Sequence, residues 1–317
     1  MSRLSSRGLR FLSTSSGGIR VTRPQGRIVV LGTGWGGFSL LRGLNLQDYE
    51  VVVVSPRNHF LFTPLLASAS VGTLEFRCIT EPVRQIRSGF TFYQATCDAI
   101  DFGKKELHLT ASLEDHRASS TLPYDQLVIA CGAVPNTFGI PGVKEHAFFL
   151  KEVAHARKIR QRIIECFEFA SEPGITAQER DGILNFVVVG AGPTGVEFSG
   201  ESKCAKTTSS PAWRTPETDF LFPSQPPAVY DFVTTDVGRL YPALKDHVRI
   251  TLVEASTRIL TSFDASLSDY AAKRFKRQGI VIEKGKELTF THSCELFMTS
   301  CVCFLLNLFT QNTKGWR

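Results

Sequence analysis

Two short glycine-rich turns constrain this chain more than any other feature. Arg27–Leu31 (RIVVL) is a continuous apolar run rich in β-branched residues, the composition of a parallel strand buried on both faces. It leads directly into Gly32-Thr-Gly34-Trp-Gly-Gly37. Phe38–Leu46 then carries Phe38, Leu41 and Leu44 at helical spacing, and Val51–Val54 is a second apolar strand ending at Ser55-Pro56. Strand, turn, helix and strand within about 30 residues form the setting in which G-x-G-x-x-G has a physical meaning. The pattern returns as the strand Phe186–Val189, the turn Gly190-Ala-Gly192-Pro-Thr-Gly195, a helix start over Val196–Glu201 and a strand over Val248–Val253.

In such a turn the first glycine (Gly32, Gly190) permits the tight bend. The second (Gly34, Gly192) lets a pyrophosphate approach the backbone, and the third (Gly37, Gly195) lets the helix pack on the strand. Two copies predict two dinucleotide sites. The second site has an acid where the adenosine ribose would lie: Glu254 closes the strand Ile250–Val253. A carboxylate there accepts hydrogen bonds from the ribose hydroxyls and repels a 2′-phosphate, which favours NADH over NADPH. The first site has no such acid; its strand ends at Ser55, followed by Pro56-Arg57. Together the two sites suggest FAD on the first turn and NADH on the second, with hydride passing from nicotinamide to flavin where they meet.

Between the two units Phe90–Tyr93, Leu107–Thr110 and Tyr124–Ala130 have strand character. Leu150–Ala170 reads as a long helix, with Leu150, Val153, Ala156, Ile159, Ile163 and Phe167 on one face and Pro173-Gly174 as its stop. Ser171–Gly182 reads as a surface linker. The expected fold class is α/β, with two Rossmann-like domains. The first is FAD-binding over 27–182, and the second NADH-binding over 183–286, interrupted by a Pro-rich insert at 203–228. The tail 287–317 is atypical. Its apolar run Leu296–Phe309 is too short and interrupted to span a bilayer, which takes about 20 apolar residues, and reads as an unpartnered end.

The net charge of +6 arises almost wholly in residues 1–26, which hold five arginines and no acid and are rich in serine. That segment reads as a mitochondrial transit peptide. The near-neutral remainder excludes a nucleic-acid partner. The eight cysteines form no C-x-x-C pair and the seven histidines no metal-ligand spacing, so no metal site, disulfide framework or reactive dithiol is expected.

The segments Val30–Gly37, Ser55-Pro-Arg-Asn-His-Phe-Leu-Phe-Thr-Pro-Leu-Leu66, Asn136-Thr-Phe-Gly-Ile-Pro-Gly142 and Val189–Glu197 together resemble the type II, or alternative, NADH dehydrogenases of mitochondria, closest to the fungal and plant branch. The resemblance covers residues 27–201 and resumes over Tyr230–Lys286. It implies a flavoprotein of the disulfide-reductase-like fold. Such an enzyme oxidises NADH and reduces ubiquinone at the inner mitochondrial membrane surface, as a peripheral protein and without pumping protons. Dimerisation stays open. By position, Gly32, Gly34 and Gly37 resemble the FAD pyrophosphate loop, and Ser55 and Arg57 its adenosine contacts. Thr63, Pro64, Leu65 and the turn Cys131-Gly132 lie where that family's chain meets the flavin. Gly190, Gly192 and Gly195 resemble the NADH loop, with Glu254 its ribose acid. Glu197 matches an acid near nicotinamide and quinone suited to proton handling, while His59 and Phe60 pack.

Two departures stand out. Glu254 lies 64 residues beyond Gly190, against a usual spacing of about 20. The resemblance also stops near Lys286, so the C-terminal part of that fold is expected to be incomplete, with insert and tail resembling translated non-coding sequence. Two other readings are a non-catalytic nucleotide-binding fragment and another two-nucleotide flavoprotein, such as a sulfide:quinone or ferredoxin reductase.

Overall fold

The computed structural model describes residues 25–113, 118–200, 229–285 and 301–305, the last of these as backbone only. The expected transit peptide, apart from its last two residues, the insert at 203–228 and the rest of the tail lie outside the described residues.

In chain order the first strands are β1 (Arg27–Leu31), β2 (Glu50–Ser55), a short antiparallel pair β3 (His59–Leu61) and β4 (Thr80–Pro82), then β5 (Thr91–Asp101), β6 (Glu106–Ala111), β7 (Ser119–Pro123) and β8 (Gln126–Ile129). The first sheet has the order β7-β6-β5-β2-β1-β8. Its β5-β2-β1-β8 part is parallel, and β5, β6 and β7 form an antiparallel meander. The side-chain period of two explains why β1 and β2 are apolar at almost every position. Val29, Leu31, Val52 and Val54 point to one core with Leu107, Leu109 and Leu122 of the meander. Ile28, Val30, Val51 and Val53 point to another, closed by Leu41 of helix α1 (Trp35–Gly43) and by Phe92. Helix α1 begins three residues earlier than expected because the glycine turn itself supplies its cap, Gly34.

The remaining labelled helices are α2 (Leu66–Ser70), α3 (Val83–Ile86), α4 (Val143–His146), α5 (Val153–Ala170), α6 (Ala177–Ile183) and α7 (Pro193–Ser199). The second sheet is all parallel, built from β9 (Phe148–Phe149), β10 (Asn185–Val189), β11 (Arg249–Glu254), β12 (Val281–Lys284) and β13 (Cys301–Leu305) in the order β12-β11-β10-β13-β9. The tail is therefore not wholly unpartnered: residues 301–305 pair with β10 on one side and β9 on the other. A short apolar run is a buried-strand signature as much as a sticky end.

Helix α5 lies against this sheet. Ala156, Ile159, Ile163, Cys166, Phe167 and Ala170 enter a core with Phe186 and Val188 of β10, Phe198 of α7, and Phe275 of the helix Ala265–Gln278. Leu61, Leu66, Ala67 and Ala69 enter the same core, so the chain of the first unit is continuous with the second. Helix α5 starts three residues later than its apolar pattern because Glu152 is extended at its cap (φ −131°, ψ 160°). The expected linker 171–182 contains most of α6, opened by a capping box in which Thr176 and Glu179 exchange hydrogen bonds. A Cβ on Gly200 would stand 3.4 Å from Tyr230 Cβ. The described chain thus resumes beside the place it left, with Val229, Val233 and Val237 buried at four-residue spacing over a helical stretch. No helix among the described residues is long and apolar enough to cross a membrane.

The two-sided burial of β1 and β2 predicts a steep contrast in mutational cost. Leu41→Ala, at a fully buried position, lowers unfolding free energy by about 2–5 kcal/mol. Val134→Ala, at a residue 86% exposed, changes it by less than about 0.5 kcal/mol. Urea denaturation of the two variants checks this; equal costs would contradict the assigned core.

Candidate functional site

The first turn is shaped by what its glycines exclude. Gly32 adopts φ +104°, and its N–H donates to the Val54 carbonyl at 2.8 Å. A Cβ there would overlap the Ala130 carbonyl oxygen on the adjoining strand. A Cβ on Gly37 would overlap the carbonyl oxygen of Gly32, so the absent side chain is what lets α1 seat on the turn. Gly34 is different: its φ is an ordinary −78°, and the nearest atom to a Cβ there is Nη2 of Arg57, at 3.7 Å.

The second turn repeats this. Gly190 has φ +97° and donates to the Val253 carbonyl at 2.9 Å. A Cβ on Gly195 would overlap the Gly190 carbonyl oxygen, while around Gly192 (φ −72°) there is open space out to 4 Å. In both turns the outer glycines are required by the fold itself, and the middle one faces an open approach. A cradle closed to a Cβ at its ends and open at its centre fits a pyrophosphate lying against main-chain amides.

Side chains brace each cradle. At the first, buried Thr33 places its Oγ1 3.0 Å from Ser55 Oγ and donates to the Arg57 carbonyl at 3.0 Å. Ser55 Oγ in turn accepts the Arg57 N–H at 3.2 Å. Nη1 of Arg57 donates to both carboxylate oxygens of Glu152, at 2.9 and 2.7 Å, across 95 residues of sequence. His59 sits beside this ion pair with Nδ1 3.0 Å from Asn58 Oδ1. Burial, and then the Arg57 charge, hold its pKa below the usual imidazole value. Phe60 packs face to face with Phe38, centroids 4.0 Å apart.

Trp35, the first residue of α1, is half-exposed. Its indole N–H donates to Thr63 Oγ1 at 3.1 Å, and its ring meets Phe60 edge-on at 5.0 Å. The indole therefore ties the first cradle to Thr63-Pro64-Leu65, of which Thr63 and Pro64 are exposed. Helix α2, which follows them directly, packs on both α5 and α7. Because α7 opens at the second turn and carries half-buried Glu197, one short helix connects the surroundings of both turns. Cys131 and Gly132 are exposed at the end of β8, with Cys131 Sγ 3.8 Å from the Leu31 carbonyl.

At the second turn Glu254 Oε2 accepts the Ala191 N–H at 2.7 Å, and Oε1 accepts the Ser256 N–H at 2.9 Å. The long spacing from Gly190 is immaterial to this geometry. Strands β10 and β11 are parallel neighbours, so the end of one lies beside the turn that leaves the other, whatever chain intervenes. Sequence reasoning missed Thr33, Trp35 and Glu152. Trp35 was legible as the residue between the glycines, whereas nothing local announces the 57–152 pair. Among the described residues no three His, Cys, Asp or Glu side chains gather as metal ligands, and Cys78, Cys97, Cys131 and Cys166 are free thiols.

Comparison with known proteins agrees with this geometry. The chain is 43% identical over 264 residues to an external alternative NAD(P)H-ubiquinone oxidoreductase (B4, mitochondrial) of Arabidopsis thaliana, covering 82% of this chain and 41% of that one. It is 42% identical over 257 residues to a probable NADH dehydrogenase of Dictyostelium discoideum, covering 80% and 51%. The chain thus spans about half the length, or less, of these relatives. Among solved structures it resembles NDH2 from Plasmodium falciparum in complex with NADH, with a TM-score of 0.75 and 26% identity over 91% of this chain and 56% of that one. Residues 26–296 match the family described as pyridine nucleotide-disulphide oxidoreductase, and with both glycine turns inside that span the chain belongs to this family.

Proposed function

We propose that this chain carries the two nucleotide sites of an alternative NADH:ubiquinone oxidoreductase that does not pump protons. FAD lies on the turn 32–37 and NADH on the turn 190–195, at the surface of the inner mitochondrial membrane. The observation that carries this reading is the open middle glycine, present twice, in two turns connected through α2. The relatives' names, NAD(P)H-ubiquinone oxidoreductase and NADH dehydrogenase, support it, as does the Plasmodium enzyme, whose structure is a complex with NADH.

FAD, when bound, supplies the acceptor that takes hydride from NADH and gives electrons to quinone. The chain's own part is to bind, orient and handle protons. Gly32 bends the chain, its own N–H spent on the Val54 carbonyl, so that main-chain amides over Gly34–Gly37 would hold the first pyrophosphate, with the N-terminal end of α1 favouring its charge. Ser55 fixes the path of the chain into Arg57, which faces the adenosine end. Thr63, Pro64, Leu65 and the Cys131-Gly132 turn border the flavin end. At the second turn Gly190 makes the bend, its N–H bonded to the Val253 carbonyl, amides over Gly192–Gly195 would hold the second pyrophosphate, and Glu254 would accept from the ribose hydroxyls. Glu197 exchanges a proton at its carboxyl group as quinone takes up two electrons and two protons. The hydride step from nicotinamide to flavin needs little acid–base help from the chain, since positioning and exclusion of water dominate it.

The glycine geometry separates binding from folding. Gly192→Ala adds a methyl to open space at an ordinary φ. It leaves the melting temperature within about 2 °C, a shift of under about 1 kcal/mol, and weakens NADH by more than about tenfold. Gly195→Ala pushes a methyl into a carbonyl oxygen and lowers the melting temperature first. Differential scanning fluorimetry with NADH titration checks both; loss of stability without loss of affinity in Gly192→Ala would contradict the site. Glu254→Gln keeps an acceptor oxygen for the Ala191 N–H but removes the charge. It raises the dissociation constant for NADH by roughly 10- to 150-fold, the worth of a charged hydrogen bond, and narrows the preference over NADPH. An unaltered preference would exclude Glu254 as the ribose ligand.

A further inference from the structure

The strand that follows the first turn and its helix lacks the acid that such a site ordinarily presents to its nucleotide, and the fold brings one in from elsewhere. Strand β2 ends at Ser55, whose hydroxyl is buried and already engaged by Thr33 and by the Arg57 N–H. The next polar group is the Arg57 guanidinium, three-quarters buried, with Nη2 directed to the open glycine of the cradle. A guanidinium is a planar fork of five donors whose use in recognition depends on its orientation. Here that orientation is imposed by Glu152, which chelates Nη1 with both oxygens from the cap of α5. The pair leaves Nη2 beside whatever lies on Gly34. Two imidazoles stand beside the pair. His155 accepts the Glu152 N–H with Nδ1, at 3.3 Å, and both it and His59 are held by burial below their ordinary pKa, so neither adds a competing cation near neutral pH.

We propose that Glu152 is a positioning residue for the first dinucleotide site: it holds Arg57 at the lip of the 32–37 turn, so that the guanidinium recognises the adenosine monophosphate half of the flavin dinucleotide. This rests on the FAD reading above. It follows that Glu152 contributes to choosing FAD over FMN, which has no such half, and that the acid missing at the end of β2 is replaced by a carboxylate acting through arginine.

Glu152 also stands at the cap of α5, so a test must separate the two tasks. Aspartate is a favoured cap residue but is one methylene short of Arg57. Dissociation constants for FAD and for FMN are measured by flavin fluorescence on the full chain and on Glu152→Asp, Glu152→Gln, Arg57→Met and the double variant Glu152→Gln/Arg57→Met, with a thermal melt of each. The expected result is a rise of about tenfold in the FAD constant for Glu152→Asp and Glu152→Gln, with FMN unchanged and the melt of Glu152→Asp preserved. The Glu152→Gln effect should vanish in the Arg57→Met background. FAD affinity unaltered in Glu152→Asp, equal weakening of FAD and FMN, or additive effects in the double variant would overturn the proposal and leave the FAD reading standing. Failure of the unsubstituted chain to bind FAD would overturn both. Should Glu152→Gln not fold, the aspartate variant decides alone.

Discussion

The site depends on a steric constraint that operates twice: a helix seats against the carbonyl oxygen of a strand-end glycine only where no Cβ intervenes. Gly37 meets Gly32 in this way, and Gly195 meets Gly190. Once those contacts are made, the direction of each helix relative to its strand is fixed, and the middle glycine is left facing outward with its approach clear. The apolar strands on either side serve the same constraint. Because β1 and β2 bury both faces, into separate cores, the strand cannot roll to relieve a crowded turn. Rigidity of the sheet is thus what makes a side-chain-free turn into a binding surface.

Polar side chains then tie each cradle to a distant part of the chain. Glu254 reaches the second turn through the parallel pairing of β10 and β11, and Glu152 reaches the first through the extended cap of α5. Trp35 links the first cradle to Thr63, and α2 carries that connection into the core shared with α5 and α7. Packing through Thr63 and α2 therefore runs from the first cradle to the core beside the second. The proposed hydride transfer between nucleotides would rely on this continuity, because its rate rests on distance and alignment.

What was legible in the sequence was what local chemistry controls. The β-branched runs located β1, β2, β10 and β11, and the glycine spacing located both turns, since period and backbone freedom are properties of consecutive residues. Boundaries were less secure where a tertiary contact set them: Glu152 leaves the helical path of α5 to meet Arg57, so the helix begins after its apolar pattern does. Helix α6 carries a local signal, the capping box Thr176-x-x-Glu179, within the stretch read as a linker. Strand β13 was obscured because an apolar run reads equally as core and as unpartnered surface. The 57–152 pair was beyond reach, as an ion pair across 95 residues leaves no periodic trace.

The most direct test of the central claim is anaerobic reduction of flavin on the purified full chain. The protein is loaded with FAD, NADH is added, and the visible flavin absorbance is followed before and after a soluble ubiquinone analogue is supplied. Two cradles serving one electron path predict bleaching on NADH and return of the absorbance on quinone, with the bleaching step slowed in Gly192→Ala at an NADH concentration that no longer saturates it. Flavin that stays oxidised beside saturating NADH, or a chain that takes up no flavin at all, would contradict the account.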